Sequence, residues 1–260
     1  MYHQFKVLAE LDITTEPMEV GPTLHYMMGG IRVDADSQMS QVSGLFACGE
    51  CSGGMHGANR LGGNSLSDLL VFGKLAGIGA AKYIRGISNP PSIVDEQAKA
   101  IIRAATEILN RESGENPYLL HEDLEENMQS NVGIVRSAEL LLEGITKLES
   151  LKKSYKEVKA NGASQYNPGW HEALALRNLM ITAESVAKSA LMREESRGAH
   201  TRVDFPGDQD EWLQSNVVIH KGKDGNMMVR KTDRHQPNSE LERIANLSID
   251  ELEIEVNDKG

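Results

Sequence analysis

Residues 44–77 read GLFACGECSGGMHGANRLGGNSLSDLLVFGKLAG, and the order of elements they encode decides the fold. Ser43-Gly44-Leu45-Phe46-Ala47-Cys48 reads as a short buried strand that ends in Gly49-Glu50. A glycine-rich loop carrying His56 and Arg60 follows, and from Ser65 to about Arg85 the pattern turns helical. Ser65 is the predicted cap of that helix, with Asp68 three residues on in the capping-box position. Gly73, Gly77 and Ala81 recur every four residues, which predicts a helix face able to lie close against a sheet or another helix.

Each piece suggests chemistry. A strand ending in glycine and then an acid suits close approach to a nucleotide, with the Glu50 carboxylate accepting hydrogen bonds from sugar or ribityl hydroxyls. Many plain turns share that pattern. Arg60 sits in a glycine loop that feeds a helix start, and a guanidinium is suited to bidentate carboxylate binding. The unpaired N–H groups of the helix start stabilise negative charge, as on a flavin that gains electrons. A tight turn with a surface arginine is the alternative. Upstream, Gly21-Pro22-Thr23-Leu24-His25-Tyr26-Met27-Met28-Gly29-Gly30 places an imidazole before a Gly-Gly bend that lets backbone approach a planar ligand. A lone histidine near a turn is more commonly structural.

Outward from this region the composition changes. Of 24 glycines, 14 fall in residues 1–86 and only 3 in residues 87–160. Residues 1–86 carry 6 basic and 8 acidic side chains, so 9 of the 11 net negative charges lie in the rest of the chain. Ser88-Asn89-Pro90-Pro91 marks the predicted junction. Residues 93–110, 122–136, 138–159 and 170–193 have helical spacing, with Leu176, Leu179, Ala183, Val186 and Ala190 as one stripe. An antiparallel helical bundle follows from this, broken at Gly162 and Asn167-Pro168-Gly169. Asp224-Gly225 between two apolar runs predicts a hairpin, and the tail after Pro237 reads as acidic and weakly structured.

The 260 residues are 40% hydrophobic and 25% charged, an ordinary globular composition. A net charge of -11 argues against nucleic-acid binding, which wants a basic surface. No apolar run approaches the roughly 20 residues of a membrane span. The start of the chain lacks a secretory pattern, which predicts an intracellular protein. Cys48 and Cys51 form a C-x-x-C with no second pair, so neither a metal site nor a disulfide is expected. The charged run from Arg193 to Arg202 reads as a salt-bridged helix exit ended by Gly198. His56 reads as structural.

Together, MEVGPTLHYMMGGI, the 44–77 stretch and MREESRGAHTRVDFP resemble the flavoprotein subunit of succinate dehydrogenase and fumarate reductase, in its C-terminal portion. The resemblance extends over almost the whole chain. It implies an α+β / α/β chain: the C-terminal remainder of a Rossmann-like FAD-binding domain, then the helical bundle and a small C-terminal β-hairpin region. The implied boundaries are 1–20 for the end of a capping domain and 21–90 for the FAD domain with the substrate site. The bundle takes 91–195, and the hairpin domain with its acidic tail takes 196–260. His25 and Arg60 are implied to hold the carboxylates of succinate or fumarate. His25, Tyr26, Glu50, Arg60, Asn64, Ser65 and Leu66 are implied to meet FAD, the Ser-Leu pair through backbone N–H groups.

The family's proton-shuttling arginine and its GxGxxG have no counterpart in these residues, so no catalytic residue is assigned. The expectation is a truncated or split subunit, inactive alone and needing an N-terminal flavoprotein half. The other implied partners are an iron–sulfur subunit, with a membrane anchor reached through it. The implied location is the inner face of the cytoplasmic membrane, as a peripheral protein. An L-aspartate oxidase-like enzyme and an inactive helical docking fragment are the alternatives.

Overall fold

The computed structural model describes residues 2–21, 24–89, 91–236 and 238–258. In chain order the elements are α1 (Tyr2–Leu8), β1 (Ile31–Arg32), a single 3-10 turn (Gly49–Cys51), β2 (Ser52–Gly53), α2 (Asn64–Arg85) and α3 (Asp95–Asn110). They continue with α4 (Pro117–Asn131), β3 (Val135–Arg136), α5 (Ala138–Tyr155), α6 (Pro168–Met192) and β4 (Thr201–Arg202). The chain closes with α7 (Asp210–Leu213), β5 (Ser215–Lys221), β6 (Met227–Asp233), α8 (Ser239–Ala245) and α9 (Ile249–Asp258). Helices carry the structure, and each sheet among the described residues is a strand pair: β1/β2 and β3/β4 parallel, β5/β6 antiparallel. The fold is α+β.

The main core lies among α4, α5 and α6. Leu120, Leu124, Leu141, Leu148, Leu176, Met180 and Ala187 are buried there, with Ile108 of α3 against them. Asn127 of α4 donates to the Gly144 carbonyl of α5 at 3.0 Å, and a Cβ on Gly144 would sit 2.9 Å from Val132. Near the start of both helices, His121 of α4 meets Glu172 of α6 at 2.6 Å. The start of α5 therefore packs on the end of α4, while α4 and α6 begin side by side, an up-down-up arrangement. Local chemistry sets the boundaries. Asn116 and Asn167 each cap a helix through the side chain, with proline in the first turn, so α4 starts five residues before the predicted Glu122. In α6, Met180 takes the buried place that the spacing predicts for Leu179, which is 39% exposed.

The hairpin forms as its Asp-Gly signal predicts. Gly225 is left-handed (φ 85°), and the Gly222 N–H donates to the Asn226 carbonyl at 2.8 Å. The tail differs from expectation, because α8 and α9 form there, α8 capped by Asn238. Pro237 itself, Pro90 of the predicted junction and Pro22-Thr23 of the first motif lie outside the described residues.

Three expectations about the glycine-rich region are corrected. Residues 43–48 do not form a strand: Leu45 N–H turns back to the Val42 carbonyl, and only Phe46 bridges, to Met39. A strand needs a neighbour along its length, and a single bridge does not supply one. Ser65 is not the cap of α2; Gly63, left-handed at φ 82°, turns the chain into the helix earlier without a side-chain cap. Gly73 and Gly77 face open space, and the close approach is made by Gly79, where a Cβ would lie 2.2 Å from the Ser37 carbonyl oxygen. Among the described residues no helix is long and apolar enough to cross a membrane.

Candidate functional site

The register of β1 on β2 builds the site. Ile31 pairs with Ser52 and Arg32 with Gly53. Backbone meets backbone so closely that a Cβ on Gly30 would lie 2.4 Å from the Cys51 carbonyl oxygen. This brings the His25–Gly30 segment beside the 3-10 turn, and the Met27 N–H donates to the Glu50 carboxylate at 2.9 Å. The turn in turn packs on α2, where Leu69 lies against Gly49.

Tyr26 is the hub. Its hydroxyl donates to Asp68 Oδ2 of α2 at 3.1 Å, and its ring meets His56 edge-to-face, with centroids 5.4 Å apart. The Arg60 guanidinium lies over the same ring, 4.8 Å from its centroid. Burial, then the hydrogen bond and charge of Asp68, raise the Tyr26 pKa, so the phenol stays protonated and donates. Arg60 itself donates to the Leu61 carbonyl at 3.0 Å, and its Nε is buried without a partner.

The other expected site residues are spread around this hub. His25 is exposed next to Tyr26 and makes no hydrogen bond to a described residue. Glu50 is exposed apart from its contact with Met27. Asn64, Ser65 and Leu66 open α2; the Asn64 and Leu66 N–H groups donate to Leu61 and Gly63 carbonyls, while that of Ser65 meets no described acceptor. The structure thus joins Tyr26 and Arg60 directly and ties Glu50, through Met27, to the segment that carries His25. It records no contact between His25 and Arg60.

Asp68 is the site residue that sequence reasoning misses. Its signal is present: an acid one turn into a helix between Leu66 and Leu69, where burial is expected. Cys48 and Cys51 are free thiols, with Cys51 Sγ 3.3 Å from the Cys48 carbonyl oxygen. Among the described residues no three His, Cys, Asp or Glu side chains gather as a metal site. An acidic cleft lined by Leu24, Glu122, Glu125 and Glu126 lies nearby, and its charge does not suit an anion.

The charged run 193–202 touches the arginine loop at Ala58. Gly198 does not end a helix, because α6 has stopped at Met192. Arg197 and His200 exchange backbone hydrogen bonds at 2.9 and 3.0 Å, making a tight turn with Gly198 (φ 60°) at its tip. That tip rests on the arginine loop: the Ala199 N–H donates to the Ala58 carbonyl at 3.1 Å. Buried charges hold the turn. Glu195 is fully buried between Arg193 and Arg197. His200 accepts from Arg136 at Nδ1 (2.9 Å) and donates from Nε2 to the Arg193 carbonyl (3.1 Å), the one tautomer both partners permit. Burial, with Arg136, Arg202 and Arg193 around it, lowers the His200 pKa and keeps the ring neutral.

Similarity to known proteins identifies the family. The family described as "Fumarate reductase flavoprotein C-term" matches residues 121–254, and "FAD binding domain" matches residues 2–66. The chain is 41% identical over 213 residues to a fumarate reductase (CoM/CoB) subunit of Methanothermobacter marburgensis, covering 81% of this chain and 38% of that one. It is 37% identical over 211 residues to the succinate dehydrogenase flavoprotein subunit of Bacillus subtilis, covering 78% and 36%. Among solved structures, the Mycobacterium smegmatis Sdh1 complex in the apo form superposes with a TM-score of 0.86 at 44% identity, over 97% of this chain and 44% of that one. A quinol-fumarate reductase with menaquinol superposes at 0.83 with 34% identity, over 91% and 42%. The chain spans less than half the length of each of these relatives. It belongs to the flavoprotein-subunit family of succinate dehydrogenase and fumarate reductase.

Proposed function

We propose that this chain is part of an FAD-dependent succinate dehydrogenase or fumarate reductase flavoprotein, and that Arg60 and His25 hold the dicarboxylate. The observation that carries the proposal is the Arg60 guanidinium: fixed over the Tyr26 ring, it has a buried Nε without a partner and no ion pair to a described residue. A positive charge held in place and left unneutralised is suited to an anion.

The residues present also fit a flavin. Gly54, Gly57, Gly62 and Gly63 line the loop before α2, and a Cβ built on any of them would meet no heavy atom within 4 Å. A planar ligand can therefore lie on bare backbone. In this reading Glu50 binds ribityl or ribose hydroxyls, Ser65 offers its N–H at the positive end of α2, and Tyr26, Asn64 and Leu66 border the ring. Leu66 would do so through its side chain, since its N–H is engaged with Gly63. FAD, when bound, supplies the two-electron oxidation or reduction of the substrate. The protein's own contribution is to clamp the carboxylates and stabilise negative charge. No proton transfer is assigned to a residue of this chain.

The domain reading, with the FAD domain to residue 90, the bundle to 195 and the hairpin domain beyond, goes with this proposal. So do an electron-accepting iron–sulfur subunit, a membrane anchor reached through it, and a peripheral place on the inner face of the cytoplasmic membrane. The test is flavin content and succinate–dye reductase turnover of the chain, alone and assembled with the remainder of a flavoprotein, with L-aspartate as the control substrate. Turnover of succinate on assembly, abolished by Arg60→Ala while FAD stays bound, is expected. Normal succinate turnover in the Arg60→Ala protein would remove Arg60 from the site.

A further inference from the structure

We propose that Asp68 is a positioning residue for Arg60, acting through the hydroxyl and ring of Tyr26. The proposal rests on the reading of Arg60 as a dicarboxylate-binding residue and deepens it.

Asp68 is the fifth residue of α2 and has no part in capping it, since Gly63 starts the helix without a side chain. The residue is only 3% exposed. A carboxylate in such a place is costly unless its oxygens are hydrogen-bonded. Only one is. Oδ2 accepts from the Tyr26 hydroxyl at 3.1 Å and lies 3.4 Å from His56 Nε2, whereas Oδ1 is buried with no partner. An expensive, half-satisfied acid of this kind calls for a compensating role.

The role follows from what Tyr26 carries. One end of the phenol is pinned by Asp68, one edge meets His56, and one face supports the Arg60 guanidinium. Apart from its bond to the adjacent Leu61 carbonyl, that ring is the support recorded for the guanidinium among the described residues. Fixing Tyr26 therefore fixes Arg60. The indirect route has an electrostatic advantage. An acid bonded directly to Arg60 would hold it equally well but would compete with a substrate carboxylate for the same N–H groups. An acid at the hydroxyl end of the ring orients the cation and leaves its donors available.

The test uses the assembled flavoprotein with FAD bound and compares Asp68→Ala, Tyr26→Phe, the double variant, Asp68→Asn and Arg60→Ala. Tyr26→Phe keeps the ring and loses only the hydroxyl, so it carries the test if Asp68→Ala fails to fold. Asp68→Ala and Tyr26→Phe are each expected to lower kcat/KM for succinate by about 10- to 100-fold, the scale of a misplaced binding group, mainly through KM. Flavin content should be unchanged. Because both variants break one link, the double variant should be little worse than either single one. Asp68→Asn, which keeps an oxygen acceptor for the phenol, should recover most of the loss. Additive losses, or an Asp68→Ala protein with wild-type KM, would overturn the positioning role even though Arg60→Ala remains inactive. Full activity of Arg60→Ala would instead overturn the functional reading beneath it.

Discussion

Glu195→Gln isolates the energetics of the turn that braces the arginine loop. The Glu195 side chain is 0% exposed, and its Oε1 accepts from Arg193 Nε at 2.8 Å, Arg193 Nη2 at 2.5 Å and Arg197 Nε at 3.0 Å. Its Oε2 accepts from the Gln209 N–H at 3.0 Å. Glutamine keeps the volume but removes the charge that balances two guanidinium groups. Breaking a buried pair costs about 3–5 kcal/mol. Arg193 and Arg197 retain 22% and 19% exposure, and Arg197 keeps Asp208 at 3.1 Å, so the low end applies. A loss of about 3 kcal/mol is a factor of roughly 100–200 in the folding equilibrium. Urea unfolding should show it, followed by far-UV circular dichroism and by the fluorescence of Trp212, whose ring lies 5.2 Å from the Arg193 guanidinium.

The pH dependence gives a second reading of the same interaction. Burial pushes the Glu195 carboxyl up, but the hydrogen bonds from Arg197, Gln209 and Arg193 outweigh it and leave the pKa below the ordinary 4.5. A carboxyl depressed by folding binds fewer protons in the folded state than in the unfolded one. Its stabilisation is complete above pH 4.5 and is lost as the pH falls through the folded value. The gap between wild type and Glu195→Gln should therefore close on acidification. A gap under about 1 kcal/mol at pH 7, the worth of an exposed pair, would refute the argument.

Two further substitutions probe the frame around the site. In Gly198→Ala, the added Cβ would fall 2.2 Å from the Ala58 carbonyl oxygen at a residue with φ 60°, so either the turn or the arginine loop must shift. The expected result is a KM for succinate raised about tenfold or more in the assembled flavoprotein with normal FAD content, and an unchanged KM would separate the turn from the site. Leu176→Ala, at a fully buried position of the bundle core, should cost about 2–5 kcal/mol in urea unfolding while leaving the KM of the assembled protein unaltered. A parallel change in KM would couple the bundle to the site.

What can be read in the sequence divides by the range of the interaction that decides it. Asn167-Pro168 starting α6 and Asp224-Gly225 turning the hairpin are settled within four residues, and both are legible. The Ser43–Cys48 run misleads because its strand character depends on neighbours that local pattern does not report, and it bridges only at Phe46. Asp68 looks like a capping residue for the same reason. Its partner Tyr26 stands 42 residues away, and only the fold shows that the acid points at the phenol rather than at the helix start. Gly198 is the extreme case: it reads as a helix stop, yet its tip touches Ala58, well over 100 residues earlier. Arg60, His25 and Glu50 are visible as residue types suited to a ligand, because binding chemistry is written in side chains. The groups that aim them are plain acids and glycines, whose roles arise only from contacts across the fold. Substitution at Asp68 or Gly198 should therefore move substrate affinity, while neither residue need touch the substrate.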